Sequence, residues 1–326
     1  MNVDPMTMAR ARLALCEATR AFLFDPNVSL VGFGHPECDG QLAEDELAIR
    51  VHVKKKLSGV ALEAAAEAGY TRPIPPKIGG FQTDVLQGSY HLHQWQPWSW
   101  SAWRRPVAAN ARTANADPIQ GGISISDEFH IAYGTLGGKV CDRATGDEMI
   151  LSNWHVLVAD WSARRGQLIY QPGRLDGGTY THAAGRLTRD AMAVNLDAAV
   201  ATLIGNRRLI NDQLGLGPVT GVGSWQLGMA VVKSGRSSNI THGRIVEIET
   251  TARIRYGYLE RIIRDVMIIE PLNGGEVSRR GDSGSWWLNA ATREAVGLHF
   301  AGSDMPERAL ALNMQSVLNA LNVEIR

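Results

Sequence analysis

The run Gly281-Asp282-Ser283-Gly284-Ser285 places a serine between an aspartate and a glycine, with Arg279-Arg280 before it and Trp286-Trp287 after it. Two readings are open. One is a tight polar turn between strands. The other is a nucleophile whose neighbouring backbone N–H groups must be free to grip an oxyanion. A serine hydroxyl is a poor nucleophile at neutral pH, so it needs a base, a group to orient the base, and oxyanion donors. Glycines at 281 and 284 allow a sharp turn without Cβ clashes. The N–H groups of Gly281 and Ser283 can then converge on one oxygen, as donors worth about 3–4 kcal/mol of barrier.

Among nine histidines, His155 stands out as the candidate base. It ends the apolar stretch MILSNW and opens HVLVADW, a short helical turn, so the expectation is a histidine that is positioned but not buried. The ordinary alternative is a satisfied turn histidine. For the orienting acid, Asp197 in NLDAAVATLI is embedded in an apolar strand, where an unpaired carboxylate costs several kcal/mol and must find a partner. Its ordinary alternative is capture by backbone N–H groups. Asp190 and Asp212 sit in polar surroundings and are weaker candidates. The order His155, Asp197, Ser283 excludes the α/β-hydrolase arrangement, in which serine precedes acid and histidine.

The elements that would hold these residues change character along the chain. Residues 1–90 predict a small α+β domain, with a helix to Phe24, strands at Val28–Gly34 and in ELAIRVHVK, a helix in VALEAAAEAGY and a strand in FQTDVLQG. No chemical motif is visible there. Residues 91–117 form a linker in which Trp95, Trp98, Trp100 and Trp103 cluster, a composition that fits aromatics pinning a connector against a domain. His91 and His93 precede them with no third ligand nearby, so no metal site is expected. From 118 to 326 short strands alternate with glycine turns, which predicts a sandwich or barrel. That length suits two six-stranded barrels, with MQSVLNALNVEI as a closing helix.

The 326 residues carry a formal net charge of zero and a pI near 7.1, which gives no pull toward nucleic acid or membrane. Cys16, Cys38 and Cys141 are too few and too scattered for a disulfide framework or a zinc site, and suit a reducing compartment. The N-terminus lacks a signal-peptide layout and no run of apolar residues is long enough to span a bilayer, so a cytoplasmic location is expected. No cofactor is implied.

Over residues 118–326 the chain resembles the chymotrypsin/trypsin-like serine peptidases. GTLGGKV followed by MILSNWHVLV is similar to the strand pair before the catalytic histidine. LDAAVATL is similar to the aspartate strand, GDSGS to the nucleophile loop, AVGLHFAG to the strand that backs the substrate, and VVKSGRSSNITHGRIV to a hairpin of bacterial members. An α+β segment before the barrels also resembles the narrow-leaf-type proteins of plants and their bacterial relatives. The resemblance implies two β-barrels with His155, Asp197 and Ser283 in the cleft between them, hydrolysing protein or peptide substrates. It implies that Val277 floors the specificity pocket, which disfavours Lys and Arg, and that Phe300, Ala301 and Gly302 line the pocket and pair with substrate backbone. In zymogens of this family a freed N-terminus pairs with the aspartate before the nucleophile. PIQGGISI resembles that start, yet no basic cleavage site precedes it, so Asp282 is expected to pair with Arg279, Arg280 or backbone N–H groups. Trp286 and Trp287 are expected in the core. A protease-like binding module without catalysis, and an esterase on the same barrels, remain alternatives. Self-association into a homo-oligomer stays open.

Overall fold

The computed structural model of the chain describes residues 3–38, 40–93, 110–272 and 274–326. Trp95, Trp98, Trp100 and Trp103, and with them most of the expected linker, lie outside the described residues. The protein is mainly β, with its longest helix, Pro5–Phe22, near the N-terminus.

Two curled sheets carry the second half of the chain. In the first, strand Ser124–Asp127 pairs with Leu168–Tyr170, which pairs in turn with Ala183–Asp190, Ala199–Leu203, Glu148–Ser152 and Gly138–Asp142. Gly134–Thr135 pairs with Ser124–Asp127 and runs on directly into Gly138–Asp142, so a single bent strand closes the ring. In the second sheet, Ala230–Gly235 pairs with Trp286–Asn289, then come Ala295–Asp304, Glu307–Asn313, Leu259–Pro271 and Asn239–Tyr256, which pairs back onto Ala230–Gly235. Both rings therefore have six strands. Trp286 and Trp287, both fully buried, point into the interior on opposite faces of their strand.

Strand Asn239–Tyr256 is long enough to do two jobs. Its first residues close the second barrel, and Glu247–Ala252 pair antiparallel with Val28–Gly34. The strands Ala48–Val53, Phe81–Gln87 and Lys77–Ile78 follow outward in the same sheet. The helix Pro5–Phe22 starts from Asp4, whose carboxylate accepts the N–H groups of Met6 and Thr7, with Pro5 at its first position. Its buried face, Ala11, Ala14, Leu15, Ala18 and Phe22, follows the spacing of one helical face and packs into a core shared with Phe33, Ile49, Ile245, Met267 and Trp287. Alanine at that face permits close approach: a Cβ on Gly79 would lie 2.5 Å from the Ala14 methyl. Residues 28–87 thus share a sheet and a core with the second barrel.

A buried ionic cluster ties this joint. Glu247 accepts from His52 Nε2 at 2.8 Å, and Arg50 Nη1 stands 3.1 Å away. Arg50 Nε reaches Asp84 at 3.2 Å, and Arg308 reaches Glu270 at 2.8 Å and Glu37 at 3.1 Å. Burial alone pushes the Glu247 carboxyl up, but Arg50, His52 and Arg308 outweigh it and bring it down to about 2. His52 is held neutral by burial. Its Nδ1 therefore accepts the Tyr90 hydroxyl at 2.6 Å, which fixes the chain just before residue 91.

Candidate active site

His155 lies in the one-turn helix Trp154–Leu157, directly after strand Glu148–Ser152. Asp197 immediately precedes the neighbouring strand Ala199–Leu203, so strand pairing alone brings the two residues side by side. His155 Nδ1 stands 2.5 Å from Asp197 Oδ2, and its backbone N–H donates to Oδ1 at 3.0 Å. Asn153 Nδ2 donates to the Asp197 carbonyl at 2.7 Å, which locks the entry to the turn. The Tyr256 hydroxyl donates to Oδ2 at 2.8 Å. Burial pushes the Tyr256 phenol well up, and the Asp197 charge adds to it, so Tyr256 remains a donor. The carboxylate only accepts, so Nδ1 carries the imidazole proton and Nε2 presents its lone pair. Nε2 is buried and has no hydrogen-bond partner among the described residues. His155 itself is only 2% exposed, which corrects the expectation of an unburied base. Tyr256 covers it from the second barrel, ring centroids 6.2 Å apart.

Ser283 sits in a loop clipped to both barrels. The Thr135 N–H donates to the Ser283 carbonyl at 2.7 Å, and its hydroxyl donates to the Gly281 carbonyl at 2.8 Å. Gly281 and Gly284 have φ of +102° and +99°, and a Cβ at Gly284 would lie 2.1 Å from the Ser152 hydroxyl. Only glycine lets the loop lie this close to the strand leading to His155. Ser283 is fully buried. Its Oγ donates to the Phe300 carbonyl at 3.0 Å, not to His155.

Of the partners expected for Asp282, the backbone N–H groups are present and the Arg279 guanidinium is not, and Lys233 and Ser238 join them. Lys233 Nζ stands 2.9 Å from Oδ2, the Ser238 hydroxyl donates at 2.5 Å, and the N–H groups of Ser237, Ser238 and Arg279 donate at 2.9–3.0 Å. The Arg279 guanidinium pairs with Glu276 instead. Burial raises the Asp282 carboxyl, yet the Lys233 charge and the Ser238 hydrogen bond bring it far below the usual range. Burial pushes the Lys233 ammonium down and Asp282 opposes it. Ile119, in PIQGGISI, is buried, and its N–H donates to the Arg208 carbonyl at 2.7 Å within a three-stranded sheet.

Val277 is fully buried in the core with Ile269, Ala309 and Trp287, its N–H donating to Glu307 at 2.8 Å. The Phe300 ring is core as well. Ala301 and Gly302, expected to face substrate backbone, pair with this chain's own strand His91–Leu92. The Gly281 N–H, expected to be an oxyanion donor, donates to the His93 carbonyl. A cleft of about 460 Å³ lies elsewhere, lined by Glu128, Phe129, His130, Asp160, Arg164 and Gln167 among others, and includes none of His155, Asp197 and Ser283. Among the described residues no group of three His, Cys, Asp or Glu could hold a metal ion, and no helix is long and apolar enough to cross a membrane.

Sequence reasoning missed Tyr256, Asn153, Lys233, His299 and the role of residues 91–93. Lys233, a lysine inside the apolar run AVVKSG, carried the same signal as Asp197: a charge in a buried strand must have a partner. The other residues act through neighbours distant in the chain and leave no local mark.

No family model and no curated protein matches the sequence. Among solved structures, Nocardiopsis protease is similar at 18% identity and a TM-score of 0.49, over 64% of this chain and 98% of its own. A chymotrypsin of Cellulomonas bogoriensis is similar at 17% identity and 0.47, over 64% and 98%. Thermobifida fusca protease A is similar at 15% identity and 0.46, over 63% and 97%.

Proposed function

We propose that the chain is a trypsin-like serine endopeptidase that works through an acyl-enzyme. The observation that supports it is the buried His155–Asp197 pair, in the tautomer that leaves Nε2 able to accept a proton. In this reading Ser283 attacks the scissile carbonyl, His155 takes its proton and passes it to the leaving amine, and Asp197 holds the imidazole. Lys233 and Asp282 keep the loop of Gly281 and Ser283 in a shape suited to receive the oxyanion. The substrate is an extended protein or peptide that pairs with residues 300–302. Residues 1–90 act as an accessory part that stiffens the second barrel.

A second reading, a protease-like binding module without turnover, is favoured by one contact: the Ser283 hydroxyl is held by the Phe300 carbonyl. A fluorophosphonate probe separates the two. It is expected to modify Ser283, mapped by peptide mass, and Ser283→Ala is expected to lower peptide turnover by about a million-fold. An unmodified Ser283 in folded protein would leave the binding module.

A further inference from the structure

The segment before the undescribed residues 94–109 lies in the candidate site as a substrate would. His91 and Leu92 run antiparallel to Gly302 and Ala301. The His93 N–H donates to the Phe300 carbonyl at 3.2 Å, and the His93 carbonyl accepts the Gly281 N–H from the nucleophile loop. Pairing along a sheet edge accounts for the first contacts. It does not account for the last, which turns one particular carbonyl toward the loop that carries Ser283.

The side chain is accommodated too. The His93 ring is buried, and a Cβ on Gly302 would lie 2.3 Å from its Cε1. His93 Nδ1 stands 3.2 Å from His299 Nε2, and the His299 ring packs edge-on against Trp287. Two buried imidazoles in contact are both held neutral, one donating N–H to the other's lone pair. The subsite therefore suits an uncharged side chain that can hydrogen-bond to His299.

We propose that residues 91–93 are an internal substrate, and that the chain cuts its own peptide bond on the carboxyl side of His93. This rests on the peptidase reading above. Ser283 Oγ leaves the Phe300 carbonyl, attacks the His93 carbonyl carbon and yields its proton to His155 Nε2. The carbon–nitrogen bond to Gln94 breaks, and His155 delivers that proton to the departing amine. Water, deprotonated by His155, then hydrolyses the ester between His93 and Ser283. The products are a carboxylate at His93 and an amino terminus at Gln94, with one water consumed.

The test is denaturing mass spectrometry of the full-length chain incubated at neutral pH. The expected result is a fragment ending at His93 and one beginning at Gln94, formed at a rate independent of protein concentration, while Ser283→Ala stays whole. His93→Pro removes the N–H that bonds Phe300 and is expected to stay whole. Its Ser283 is expected to react with a fluorophosphonate about tenfold faster than in the uncut wild type, the worth of about one hydrogen bond. His93→Lys, which keeps the backbone and charges the side chain, is also expected to stay whole. A wild type that never cuts, beside a His93→Pro variant whose Ser283 is labelled, overturns this proposal and leaves the peptidase reading standing. The same fragments from Ser283→Ala overturn it by assigning the cut to another protease. No cut and no labelling in any variant removes both. The wild-type result decides the matter even if His93→Pro fails to fold.

Discussion

Two aspartates are fully buried beside the candidate site, and they are served differently. Asp197 receives an imidazole, a backbone N–H and a phenol, all from groups that are neutral when they donate. Asp282 receives an ammonium, a hydroxyl and three backbone N–H groups. The first arrangement leaves one partner, His155, able to change its charge during a reaction. The second holds Lys233 and Asp282 as a buried ion pair whose partners carry no proton for a reaction. Equal burial thus serves two ends: one carboxylate steadies a proton carrier, and the other steadies a loop.

That contrast breaks most sharply under substitution. Asp197→Asn is expected to slow fluorophosphonate labelling of Ser283 by about ten-thousandfold, since the amide favours the wrong imidazole tautomer, while the protein still melts as a folded unit. Asp282→Asn leaves the Lys233 ammonium buried without a counter-charge and is expected to cost about 3–5 kcal/mol in urea unfolding. Adding Lys233→Met to it is expected to restore most of that loss. If Asp197→Asn proves the more destabilising and Asp282→Asn the less, the assignment of roles is reversed.

A smaller effect sharpens the comparison through pH. The folded-state carboxyls of Asp282 and Glu247 are depressed, Glu247 to about 2, whereas unfolded carboxyls titrate near 4. Their contribution to stability is therefore complete above about pH 5 and is lost as pH falls toward 2. Urea midpoints of the wild type are expected to fall across that window. The Asp282→Asn, Lys233→Met variant is expected to fall less, because it lacks the Asp282 part. Parallel curves for the two proteins would show that Asp282 is not held as a buried anion.

Much of the local structure is legible in the residues themselves. Val28–Gly34 is apolar enough to be fully buried, and Trp154–Leu157 begins where an apolar strand meets Asn153. Asp197 is conspicuous because charge in an apolar strand demands a partner. The pairing of Val28–Gly34 with Glu247–Ala252 is not legible, because register between segments so far apart is decided by the whole sheet. The same holds for His93. In the sequence it is one of two histidines before a tryptophan cluster, and its significance comes only from the edge of residues 300–302 beside it. The burial of His155 depends on Tyr256, which reaches it from the other barrel.

The Tyr90 anchor has a consequence for any outside peptide. Only Gly88, Ser89 and Tyr90 separate strand Phe81–Gln87 from His91, and the Tyr90 hydroxyl is tied to His52. The occupying strand is thus presented at an effective concentration of about millimolar or above, as for any short tether. A free peptide competes against that local excess. Its apparent affinity for the intact chain measures displacement of residues 91–93 together with contact to the site, so weak binding by a peptide says little about how well the barrels recognise its sequence.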